Sequence, residues 1–236
     1  MAKRPVFVPE IEGPVLVSTV LVDFEWFPGM ALSQAQKSVE SLHAAARHAL
    51  GTDKILEISS KSKQEIGVKL SAFNLMIKTV KHEQKFSVEC AYQASKVFER
   101  GGPFLDLLEK TSLEAKRDPR LNENGRMTKF VFFKQTWPLE PRTAFYDWLY
   151  MNALHKHAEF VEEVLRYQAF TDIAFNPERS INCQAYAAAL YASLVRRNML
   201  STTFLQDQQR YLDTVKSMKV SNAHENTVTQ DRMSFD

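Results

Sequence analysis

A chain of 236 residues with 44% hydrophobic and 11% aromatic content can bury a sizeable core, so a soluble globule built as one domain is expected. Its formal net charge of +2 does not announce a nucleic-acid binder, and the absence of any apolar run of eighteen residues argues against a membrane-spanning helix. Cys90 and Cys183 stand far apart with no zinc-like spacing and the histidines are scattered, so no metal site and no cofactor are expected.

The N-terminal MAKRPVFVPE carries no signal-like apolar stretch, and a cytoplasmic protein is expected. Val15 to Phe24 is β-branched and apolar and reads as a strand between Gly13-Pro14 and Pro28-Gly29. Ser33 reads as the cap of a helix running to Leu50, with Val39, Leu42, Ala45, Ala46 and Ala49 on one side and Gly51 as its stop. Lys54, Lys61, Lys63, Lys69, Lys78, Lys81 and Lys85 outnumber the local acids. They form either a solvated surface or a basic rim able to neutralise phosphates. From Phe86 the apolar period of Val88, Ala91, Ala94 and Phe98 predicts a helix, whose other face carries Glu89, Tyr92 or Gln93, and Lys96.

A second helix is predicted from Phe104 to about Lys116 with Leu105, Leu108 and Leu113 inward, then a loop over Asp118 to Arg126 and a short strand over Lys129 to Lys134. An aromatic, buried helix runs from Arg142 to about His157. Within it Asp147 either pairs with Arg142 or faces a ligand. Further helices follow over Ala158 to Phe170 and, capped by Ser180, to Asn198, while residues 218–236 read as a flexible tail after one domain spanning 1–217. The expected fold class is mainly α with a few short strands.

Two segments carry a resemblance. Leu70-Ser71-Ala72-Phe73-Asn74-Leu75, followed by Val88-Glu89-Cys90-Ala91-Tyr92-Gln93-Ala94-Ser95-Lys96, resembles the signature of the NADAR (YbiA-like) family, in which a Ser-Asn-Phe turn precedes a Glu-His-x-Tyr-Gln-Ala-x-Lys helix. Ala72 replaces the usual Asn and Cys90 the usual His; Asn74 is a candidate to supply the missing amide. Further on, Asp172, Phe175, Asn182 and the pair Arg196-Arg197 match the order of the second family motif, with Phe175 for Trp and Asn176 for Gly, and Trp137 stands near the place of a family Trp. The resemblance runs from about Lys69 to Arg197 and implies a single compact YbiA-like helical domain.

It also implies chemistry. Members of the family are N-glycosidases, and the branch most similar here resembles antitoxins of DarT-type toxins, which attach ADP-ribose to the guanine amino group of DNA. The implied substrate is therefore ADP-ribosylated guanine in DNA, with ADP-ribose as product and the toxin as a protein partner. Cleaving such a bond passes through an oxocarbenium-like transition state, for which a carboxylate stabilises charge or activates water; Glu89 and Asp172 are the candidates. Lys96 is the candidate for a Schiff-base nucleophile or a charged donor to the ligand. Ser71, Phe73, Asn74, Tyr92, Gln93, Trp137, Asp147 and Asn182 are the candidate ligand-binding residues, with Trp137 and Phe73 able to stack on a base or to serve as core. Alternative functions are a hydrolase of ribose-phosphate-linked aminopyrimidine intermediates of riboflavin synthesis, a non-catalytic ADP-ribose or nucleotide reader, and an antitoxin that blocks its toxin by contact.

Overall fold

The computed structural model describes residues 1–79, 83–178 and 180–218. β1 (Ala2–Pro9) pairs antiparallel with β2 (Val17–Phe24) from Ala2↔Phe24 to Pro9↔Val17. Strand side chains alternate between faces, and here Val6 enters one apolar cluster while Phe7 enters the other. α1 (Leu32–Leu50) covers the Val6 face with Val39, Leu42 and Ala46. It ends at Gly51, whose φ of 65° and N–H to the Arg47 carbonyl make the left-handed cap that glycine adopts without a Cβ clash.

β3 (Ile55–Glu57) leads through α2 (Glu65–Lys69) to the hairpin of β4 (Met76–Lys78) and β5 (Lys85–Ser87). α3 (Val88–Ala94) starts on Ser87, whose hydroxyl accepts from the Cys90 N–H. After Ser95 the chain enters β6 (Lys96–Phe98), then a 3-10 turn at Leu105–Glu109, α4 (Ser112–Lys116) and α5 (Arg120–Glu123). β7 (Met127–Phe132) and β8 (Gln135–Trp137) complete a sheet of order β6-β7-β8. α6 (Ala144–His155) is apolar nearly all round and buried along its length, as its aromatic content requires.

α7 (Ala158–Val164) precedes β9 (Ala169–Thr171), which inserts between β1 and β3 to give the order β2-β1-β9-β3. β9 runs parallel to β3 with Glu57 opposite Thr171. α8 (Gln184–Arg196) packs on the face opposite α1, where Phe7 meets Tyr186 edge-on at 5.5 Å. A helix therefore covers each face of this sheet. α9 (Thr202–Gln206) and α10 (Gln208–Ser217) close over α6: Tyr211 donates to the Ala144 carbonyl at 3.0 Å and Trp148 to that of Leu205 at 2.8 Å. Among the described residues no helix is long and apolar enough to cross a membrane.

The expected class, mainly α with a few short strands, is corrected to a mixed α and β fold, with 43% helix, 20% strand and three sheets among the described residues. Strand β1 escaped the sequence reading because Pro5 and Pro9 argue against a central strand; it meets β9 only at Phe7↔Phe170, so most of that flank behaves as an edge. β3 and β9 are three-residue buried strands with no alternation to read. The single helix expected from Phe86 to Phe98 is a strand, a helix and a strand, because β6 is drawn out by pairing with β7. The helix expected from Phe104 to Lys116 breaks in two, leaving Leu105 and Leu113 57% and 47% exposed while Leu107 is the buried one. The helix expected up to Phe170 stops at Val164, the loop at 118–126 contains α5, and α8 starts at Gln184 rather than on Ser180. Of the expected tail, residues 218–236, all but Met218 lie outside the described residues.

Candidate active site

A cleft of about 500 Å³ opens between α3, the turn at residues 71–73, the chain leaving β9 and the segment entering α8. Eight of the sequence-predicted site residues line it: Ser71, Phe73, Glu89, Tyr92, Gln93, Lys96, Asp172 and Asn182. Backbone bonds seat the helix on the turn. Val88 N–H donates to the Leu75 carbonyl at 3.0 Å and Glu89 N–H to that of Ala72 at 2.9 Å. Ser71 Oγ in turn donates to the Val68 carbonyl at 2.7 Å, and Ser112 Oγ to that of Phe73 at 2.9 Å.

Glu89 is buried, and Gln93, one helical turn on, donates Nε2 to its Oε1 at 2.8 Å. Glu89 makes no ion pair among the described residues. Lys96 does not share the helix with Glu89 as its spacing implied: α3 ends at Ala94, and Lys96 reaches the same cleft from the first position of β6. Its Nζ lies 4.7 Å from the centre of the Tyr92 ring. Burial lowers the Lys96 ammonium to about 8, with Glu89 opposing the shift and Lys116 adding to it.

Asp172 enters from the other motif. Its Oδ1 accepts from the Ala174 N–H at 3.0 Å and its Oδ2 from Gln184 Nε2 at 3.0 Å. Burial and then the nearby Glu57 push this carboxyl up to about 7. Asn182 donates Nδ2 to the Tyr92 hydroxyl at 2.7 Å, while the Tyr92 ring is braced edge-on by Tyr146 at 5.2 Å. Two buried acceptors at the cleft, Gln93 Oε1 and Asn182 Oδ1, have no hydrogen-bond partner among the described residues, an arrangement a ligand donor would complete.

Three sequence candidates fall elsewhere. Trp137 is wholly buried at the end of β8 and packs on Trp148 and Phe145 with centroids 4.6 and 5.5 Å away, so it is core and not a stacking platform. Asn74 is exposed and spends its amide on the Val68 carbonyl and Ser71 Oγ, both at 3.0 Å; it steadies the turn and does not replace the missing Asn at 72. Asp147 neither pairs with Arg142 nor faces the cleft: Arg142 turns to Glu140 at 3.5 Å, and burial pushes Asp147 up to about 7. The described lysines of residues 54–85 do not rim the cleft. Lys63, Lys69 and Lys78 pair with Glu40, Glu65 and Glu83, and Lys81 lies outside the described residues.

Sequence reasoning missed Gln184, Lys116 and Glu57. Gln184 accepts from the Ala72 N–H at 2.6 Å and donates to the Ile58 carbonyl at 2.7 Å as well as to Asp172, binding three walls of the cleft together. Lys116 lines the cleft with its Nζ 5.3 Å from the Phe73 ring centre. Neither position carries a local signal, because each acquires its role only when segments distant in sequence converge.

A comparison with curated proteins returns no match. A family profile described as DarT1-associated NADAR antitoxin matches residues 2–225, a span that takes in both motifs and every wall of the cleft. The chain therefore belongs to the DarT1-associated NADAR antitoxin family.

Proposed function

We propose that the cleft is the active site of an N-glycosidase that releases ADP-ribose from the guanine amino group of DNA, reversing the modification made by a DarT-type toxin. The observation that carries this reading is the meeting, in one cleft, of Glu89, Lys96 and Asp172, with Lys96 lowered to about 8 and Asp172 raised to about 7. Groups shifted toward neutral pH from both sides are suited to proton transfer and nucleophilic attack. The family match supports the antitoxin role over the riboflavin-related alternative.

In the proposed reaction the bond between the anomeric carbon and the guanine amino nitrogen breaks with positive charge growing on the sugar. Glu89 lies against that charge and takes the proton of the attacking water. Asp172, still holding a proton near neutral pH, gives it to the departing nitrogen so that guanine leaves neutral. Where the ribose opens to an imine, the free-amine fraction of Lys96 attacks the same carbon, displaces the guanine amine and forms a Schiff base that water then cleaves. Gln93 Oε1 and Asn182 Oδ1 accept from ribose hydroxyls, and Phe73 offers a ring face for a base. The cleft volume is in the range of small-ligand sites.

The test is incubation with a single-stranded oligonucleotide bearing ADP-ribose on a guanine, followed by mass spectrometry. Appearance of the unmodified strand with free ADP-ribose is expected. An adduct that stays intact while the antitoxin holds its toxin in a stable complex would replace this reading with inhibition by contact.

A further inference from the structure

A carboxylate outside both motifs stands directly behind the cleft. Glu57 ends β3, is 2% exposed and lies opposite Thr171 in the parallel register with β9. Its Oε2 accepts from Thr171 Oγ1 at 2.6 Å; its Oε1 accepts from Ser59 Oγ at 2.6 Å and from the Ile173 N–H at 2.9 Å. One buried carboxylate thus grips the residues immediately before and after Asp172. Ser59 also lines the cleft, so the network reaches its wall.

The network continues away from the cleft. Thr171 Oγ1, having given its proton to Glu57, accepts from His43 Nε2 of α1 at 2.9 Å. Burial lowers His43 to about 4, so its ring is neutral and Nε2–H is the donor. His43 and Glu57 form walls of a second cavity of about 180 Å³. Nothing in the proposed chemistry uses these groups, yet a carboxylate buried with no ion-pair partner among the described residues is costly to hold charged.

We infer that Glu57 is a positioning residue: it fixes the turn that aims Asp172 into the cleft and keeps a negative charge behind it. This assignment rests on Asp172 being the proton donor of the proposed reaction. Burial raises Glu57 while its three donors oppose the shift. Three donors converge on the Glu57 carboxylate against two on that of Asp172, so of the pair Glu57 is the better stabilised in its charged form. The other titratable groups facing the pair are Glu89, Tyr92, Lys96 and Lys116 across the cleft, Glu40, Arg47 and Lys63 around the second cavity, Arg4 of β1, His43 of α1, Tyr146 and Tyr150 of α6, and Cys183 before α8. Burial pushes the two α6 tyrosines and the thiol well up, so all three are neutral.

The experiment is a carboxyl ¹³C NMR titration of Asp172 in the ligand-free protein, wild type against Glu57→Gln, with the pH profile of oligonucleotide turnover alongside. Removal of the charge is expected to lower the Asp172 midpoint by about one pH unit or more. The alkaline limb of the rate should move by the same amount with KM little changed. Thr171→Val supplies a second variant should Glu57→Gln fail to fold. Loss of its hydroxyl makes Glu57 easier to neutralise and moves Asp172 in the same direction, and Thr171→Ser restores the wild-type profile. An Asp172 midpoint unmoved in a folded variant overturns the assignment. A moved midpoint in a protein that never releases ADP-ribose would leave the Glu57–Asp172 coupling standing and remove the N-glycosidase reading.

Discussion

Asn182 donates to the Tyr92 hydroxyl at 2.7 Å across ninety residues of chain, and this bond joins the two motif segments at the cleft. Tyr92→Phe removes the acceptor while leaving the ring seated against Phe130 and Tyr146, 5.5 and 5.2 Å away. The expected stability loss is about 1 kcal/mol in urea unfolding, typical of one hydrogen bond. With Asn182 no longer oriented, kcat/KM on the modified oligonucleotide is expected to fall roughly tenfold. An unchanged kcat/KM would show that Asn182 needs no anchor.

Gln184 holds three walls of the cleft, and Gln184→Leu strips all three bonds at once. The Ala72 N–H and Ile58 carbonyl lose their side-chain partner. Each such group costs about 1–3 kcal/mol when left unpaired. A clear drop in melting temperature together with loss of turnover is expected, and a variant as stable and active as the wild type would deny Gln184 this role.

Trp137 distinguishes core from site. Trp137→Ala is expected to destabilise by about 3–5 kcal/mol, as large-to-small changes in aromatic cores do. Trp137→Phe keeps most of the packing against Phe145 and Trp148, and its KM should match the wild type. A raised KM in that folded variant would return Trp137 to the ligand.

Buried Asp147, raised to about 7, makes stability depend on pH. The folded protein holds this proton more tightly than the unfolded chain. Stability is therefore greatest below the ordinary carboxylate value near 4, falls as pH rises towards 7 and is level above it, a loss on the order of 4 kcal/mol. Asp147→Asn removes this loss, so the variant's stability relative to wild type should improve between pH 5 and pH 8 in calorimetry. Asp172, raised for the same first reason, leaves a residual slope of the same sign in the variant. A difference between the two proteins that is equal at both pH values would contradict this account.

How much of this was legible in the sequence follows from how local each signal is. The helix ended by Gly51 and the aromatic α6 declare themselves by period and composition within their own length. Glu89, Gln93 and Lys96 were legible as a fixed spacing of residue types, although not the fact that Lys96 leaves the helix, which depends on pairing of β6 with a strand thirty residues on. Glu57 was illegible: within Ile-Leu-Glu-Ile-Ser-Ser it reads as one acid among apolar residues, and its partner Thr171 lies 114 residues away. Trp137 misled because a tryptophan beside prolines looks the same whether it closes a core or walls a pocket.

The central claim is that Glu89 and Lys96 act on the ribose, and single-turnover rates of Glu89→Gln and Lys96→Ala on the guanine-modified oligonucleotide, with folding checked by thermal melts, test it most directly. The account predicts a folded protein slowed by about 10²–10⁴-fold in each case, the range of a lost acid–base group. It also predicts borohydride trapping of the wild type that disappears with Lys96. Near-native release of ADP-ribose by both variants would contradict it.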